Sequence, residues 1–132
     1  MALNRMRLQN FKTGIADATD FDELALRLNM LDERCKDIKN GEPLLQIVRG
    51  GQRAMDDILG RYLAMPEPRK FTLEGDEFER MDDALNVFEA VAPESSRAQL
   101  VIAWNRAMAN MQKQIDERVA KGLPPNPTPE HP

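Results

Sequence analysis

The sequence has a single cysteine and a single histidine. Cys35 therefore has no partner for an internal disulfide, which suits a reducing compartment. A structural zinc site draws on several Cys or His ligands, and here one of each stands far apart in sequence. A di-iron helical bundle needs Glu-x-x-His motifs on inward faces, whereas His131 sits in a proline-rich terminus. Nucleophilic catalysis by Cys35 has no histidine within a helix to activate it. No glycine motif has the spacing of a phosphate-cradling loop. Arg49-Gly50-Gly51-Gln52 falls within a helical pattern instead. No cofactor and no metal are expected.

Long apolar runs are also missing. No stretch approaches the ~20 residues of a spanning helix. The opening MALNRMRLQNFKTG scatters charge through its length, unlike a secretory leader. Together these point to a cytoplasmic protein that does not enter membranes. Excess positive charge is absent too: 18 Lys+Arg face 22 Asp+Glu, a net charge of −4. The deficit lies entirely in the second half. Affinity for a phosphate backbone comes from Lys and Arg releasing counterions, so the charge balance argues against nucleic acid as a partner for the chain as a whole.

What the chain does have is hydrophobic periodicity. With 42% hydrophobic and 30% charged residues over 132 positions, it can build one core and remain soluble. Phe21, Leu24, Leu28, Leu31, Cys35 and Ile38 recur every three or four residues, the stripe of an amphipathic helix. Asp20 and Glu23 have capping-box spacing at its start, and Asn40-Gly41 supplies a left-handed terminator. A second stripe, Leu44, Val48, Gly51, Met55, Ile58 and Tyr62, starts at Pro43, a natural first-turn residue, and stops before Pro66. Gly50-Gly51 in its middle implies a kink or close packing against a neighbour, with a break or hinge as the alternative. A third helix is expected from about Leu73 to Val91, capped by Thr72, with Phe78, Met81, Leu85 and Phe88 inward. A fourth begins near Pro93–Ser96 and carries Val101, Trp104, Met108, Met111, Ile115 and Val119. It spans about 39 Å against about 27 Å for the third, at 1.5 Å per residue, so its last turns overhang.

The fold expected is all-α: an up-down bundle of about four helices in two antiparallel hairpins, with a disordered proline-rich C-terminal tail. Residues 1–18 form a basic segment, either a short helix or flexible. Residues 19–122 form the bundle, as hairpin 20–65, linker 66–71 and hairpin 72–121. Residues 123–132 are the tail.

Function is read from what survives these exclusions. The expectation is a non-enzymatic interaction or regulatory protein that binds another protein, or itself as a homodimer through the fourth helix. Candidate contact residues are Glu74, Asp76, Glu79 and Asp83, an acidic set on the third helix, and Met111, Ile115 and Val119 on the overhang. One alternative is a nucleic-acid accessory factor using Arg5, Arg7, Lys12, Arg49 and Arg53. Another is an enzyme working with carboxylates alone.

Overall fold

A computed structural model describes residues 2–125. It is all-α, with five helices and no strand among these residues: α1 (Ala2–Thr13), α2 (Ala18–Lys36), α3 (Glu42–Ala64), α4 (Glu77–Val91) and α5 (Arg97–Ala120). None is long and apolar enough to cross a membrane. The expected tail lies outside the described residues from position 126 onward.

The fifth helix beyond the expected four is α1. Its Leu8 and Phe11 are each 2% exposed and join the main core. Ile15, at helical spacing from Leu8 and Phe11, is exposed, because Gly14 adopts a φ of +78° and ends the helix first. Arg5 fastens α1 to α4, pairing with Asp82 and donating to Glu89 at 2.6 Å. These two acids, outside the predicted acidic set, take up part of the N-terminal positive charge.

The stripe of α2 is buried as expected from Phe21 to Cys35. Its cap lies three residues earlier than the sequence pattern suggested. The Asp20 N–H donates to Asp17 Oδ1 at 2.9 Å, and the Asp17 N–H donates back to Asp20 Oδ2 at 3.2 Å. Asp17 and Asp20 thus form the capping box, in which a second short carboxylate does the work of Glu. At the other end Asn40, not Gly41, takes the left-handed conformation, with φ +59°.

Helix α3 runs through Gly50-Gly51 without a break. A Cβ on Gly51 would lie 2.6 Å from the Ala84 Cβ and 3.2 Å from the Arg80 carbonyl oxygen. Gly51 is therefore where α3 and α4 press together. Gly50, one residue away, would place its Cβ in open space.

Helix α4 starts at Glu77 rather than Leu73, and Thr72 is not its cap. The residues before it are held by a carboxylate from inside the helix. Glu77, 4% exposed, accepts from the Glu74 N–H at 2.8 Å and from Arg61 Nη1 at 2.8 Å. Arg61 also donates to the Thr72 carbonyl at 2.7 Å. Within the proline-rich connection, Phe71 is buried. Its ring stacks on Tyr62 at 4.1 Å and meets Phe21 at 5.3 Å and Phe11 at 5.6 Å.

The second expected hairpin is arranged differently. Helix α5 lies against α2, with no comparable backbone approach to α4. Around a small apolar centre of Met30, Ala103 and Ala107, with Phe88, Leu100 and Trp104 beside it, the contact is polar. Arg34 Nε donates to Ser95 Oγ at 2.9 Å, Asn110 Nδ2 to Glu33 Oε1 at 2.9 Å, and Arg106 Nη1 to Asp37 Oδ2 at 2.6 Å. The Arg27 guanidinium lies 5.6 Å from the Trp104 ring centre. Ser96 and Gln99 form a reciprocal capping box at the start of α5.

Two tests follow from this packing. Gly51→Ala is expected to destabilise the fold by about 1–3 kcal/mol through overpacking. Gly50→Ala should leave it unchanged or up to about 1 kcal/mol more stable, the gain in helix propensity. Urea titrations of both variants make the comparison. The second test concerns Glu77. Burial acts to raise its carboxyl pKa, but the Arg61 fork and the Glu74 N–H outweigh burial and hold it below the ordinary 4.5. A carboxyl depressed by folding contributes stability that is complete above its unfolded pKa and is lost as pH falls through the folded one. Glu77→Gln is expected to cost about 3 kcal/mol at pH 7, the low end for a broken buried ion pair, since Arg61 keeps 24% of its side chain in water. It should also flatten the acid limb below pH 4.5 in a plot of stability against pH.

Candidate functional site

Because α5 is mounted on α2 near its own middle, its distal turns extend over the surface formed by α2 and α3. They enclose an open groove of about 980 Å³, at the upper end of the size of ligand sites. Helix α2 contributes Phe21, Ala25, Leu26 and Asn29 to the wall. Helix α3 contributes Arg49, Gln52, Arg53, Asp56 and Leu59. The opposite wall is Met111, Gln114, Ile115 and Arg118 of α5, and Leu123 and Pro125 stand at one end.

The groove has two chemical regions. Phe21, Leu26, Leu59, Ile115 and Leu123 supply apolar surface. The other region is rich in amides, where Gln52 Nε2 donates to Asn29 Oδ1 at 3.0 Å. It leads into a polar side pocket of about 160 Å³ that shares Asn29, Gln52, Met111 and Gln114 with the groove and adds Asp32, Glu33, Lys36 and Asn110. Glu33, 7% exposed, accepts there from Lys36 Nζ at 2.9 Å as well as from Asn110. That hydrogen bond raises the Lys36 pKa, against the opposing effect of burial. Asp56 is raised by desolvation in the groove wall and by the neighbouring Asp57 carboxylate.

Two residue sets assigned by sequence to rival functions meet here. Arg49 and Arg53, candidates for nucleic-acid contact, line the same groove as Met111 and Ile115, candidates for protein contact. Arg49 is engaged by Asp32 at 3.2 Å, whereas Arg53 has no ion pair among the described residues. Val119 lies just outside, 54% exposed. The remaining N-terminal cations have partners within the chain: Arg7 stands 4.0 Å from Asp20, and the exposed Lys12 places its Nζ 4.8 Å from the Phe78 ring centre.

The acidic set is not part of the groove. Glu74 pairs with Arg61 at 3.6 Å and Asp76 with Arg80 at 3.0 Å. Glu79 and Asp83 are exposed on α4. Cys35 is buried, and desolvation, reinforced by the Asp32 charge, raises its thiol pKa, so it is held as the unreactive thiol. No group of three or more His, Cys, Asp or Glu side chains among the described residues could hold a metal ion.

Of the predicted stripe of α5, Met111 and Ile115 line the groove. Trp104, Met108, Met111 and Ile115 are only half-buried, and Val101 and Val119 are exposed. The helix is buried along Ala103 and Ala107, about a quarter-turn away at 3.6 residues per turn. The wall residues Leu26 and Leu59 were not singled out by sequence. For Leu26 the available signal was its spacing four before Met30, a short apolar pair on the face of α2 opposite the main stripe.

The mount of α5 can be tested directly. Ala107→Leu should overpack the contact with Met30 and cost about 1–3 kcal/mol. Ile115→Ser should stay within about 0.5 kcal/mol of the parent, as a substitution at a wet wall. Thermal melts followed by circular dichroism separate the two. In comparisons with known proteins, no family model matches this chain, and neither a curated protein nor a solved structure matches it.

Proposed function

We propose that this chain is a non-enzymatic, cytoplasmic interaction module, and that the groove between α5 and the α2–α3 surface receives an amphipathic segment of a partner protein. The observation that carries this reading is the offset of the α5 stripe. The distal part of that stripe, Met111 and Ile115, is turned away from the α2–α5 contact and lines an open groove. Exposed apolar surface of this kind marks sites of association, and an amphipathic helix laid into such a groove is a recurrent mode of peptide recognition.

The rest of the groove fits that occupant. Its apolar region offers sites for side chains repeating at helical spacing. The amides of Asn29, Gln52 and Gln114 suit the polar groups of a peptide. Charges of both signs at the edge, Arg53 and Lys121 against Asp56 and Glu117, suit a segment of mixed charge better than a polyanion. Rim charges of this sort set partner choice and association rate more than affinity.

The test is retention of a partner from an extract of the native host by the immobilised chain. Ile115→Arg and Leu26→Arg should each reduce capture by roughly 30-fold or more, the effect of losing a 2 kcal/mol anchor. Glu79→Lys, on the far side of the molecule, should leave it unchanged. Capture of nucleic acid that disappears as salt rises would overturn the reading in favour of the arginine-based alternative.

A further inference from the structure

The chain's own C-terminal segment returns to the groove that α5 helps to form. After Ala120, Gly122 adopts a φ of +75°. Its N–H donates to the Val119 carbonyl at 3.0 Å, and the Leu123 N–H donates to the Arg118 carbonyl at 2.9 Å. These are the bonds of a Schellman turn, which reverses the chain after a helix. The reversed segment is then fastened: Arg118 Nε donates to the Pro124 carbonyl at 2.7 Å. Leu123 and Pro125 stand in the groove lining as a result.

We infer that Leu123–Pro125 is a built-in competitor, a strap that occupies one end of the groove and must swing out before a partner can fill it. The inference rests on the reading of the groove as a docking surface and adds its regulation. Three features support it. Arg118 is both a wall residue and the strap's tether, so a ligand that recruits its guanidinium releases Pro124. Leu123 fills apolar wall with a side chain that is still 46% exposed, so lifting it away forfeits little burial. Gly122 is a hinge at which a β-branched residue is strained, since left-handed backbone brings its Cβ against the following carbonyl.

The probe is anilinonaphthalene sulfonate, an apolar anion suited to a groove with apolar walls and free cations. Full-length Gly122→Val, which disfavours the turn, and Leu123→Gly, which removes the plug without adding charge, should both bind the dye more tightly, by roughly tenfold for the strained turn. Adding Ile115→Glu, which puts a like charge against the dye's sulfonate, to either variant should abolish the gain. Dye also binds loosened cores, so each variant must keep the parent's melting transition and its near-ultraviolet Trp104 signal. Should a variant fail that check, amide exchange of Gly122 and Leu123 in the folded parent, with and without dye, provides the comparison: the strap predicts faster exchange at both when dye is bound, as their bonds to the Val119 and Arg118 carbonyls are released, and unchanged exchange overturns it. Unchanged dye affinity in well-folded Gly122→Val and Leu123→Gly would overturn the strap while leaving the groove intact. Dye binding indifferent to Ile115→Glu in every background would sink the groove reading itself.

Discussion

The molecule depends on burying a single helix from two opposite sides. Helix α2 packs against α1, α3 and α4 with one face and against α5 with the other. The first face is conventional: Phe21, Leu24, Leu28, Leu31 and Cys35 are all 5% exposed or less, and hydrophobic burial of that kind dominates the stability of a small domain. The second face carries Met30 among Glu33, Arg34 and Asp37. It is closed by pairing charge and hydroxyl groups with α5 around two alanines. The small alanine side chains let α5 approach closely, and the polar ring fixes where along α2 it sits. The groove exists because that mount lies well short of the C-terminal end of α5.

The main core was legible in the sequence because its residues obey one rule. Apolar side chains every three or four positions located α2 and α3 and most of their buried residues, and α4 from Phe78 onward. Element ends were read less well, for local reasons. Asp20 was taken as a cap when it is the third helical residue, closing a box opened by Asp17. The start of α4 was set too early because Glu77, one acid among several in a row, gave no hint that Arg61 from another helix would bury it. Phe71 looked like part of a connection, since proline-rich composition says nothing of a ring wedged among three others.

The position of α5 was not legible, for a different reason. Periodicity assigns the apolar stripe to the interior, and here the interior contact is made by alanines and by side chains that read as solvated charge. Asn110, Ser95 and Arg106 become interface residues only when Glu33, Arg34 and Asp37 face them. A minority of the candidate site was nevertheless in view: Met111, Ile115, Arg49 and Arg53 were each picked out, though for functions that exclude one another. Their convergence on one concave surface is a property of the fold and could not be read from spacing.

The small area joining α5 to the rest of the molecule also bears on motion. Local opening occurs where few apolar contacts must be broken, and the contact of α5 holds three buried apolar residues against the eighteen of the main cluster. The helix is therefore a limb held to the body by far less apolar burial than joins α1 to α4. A guest held between limb and body would touch both, and would stiffen the protein like a splint across a joint.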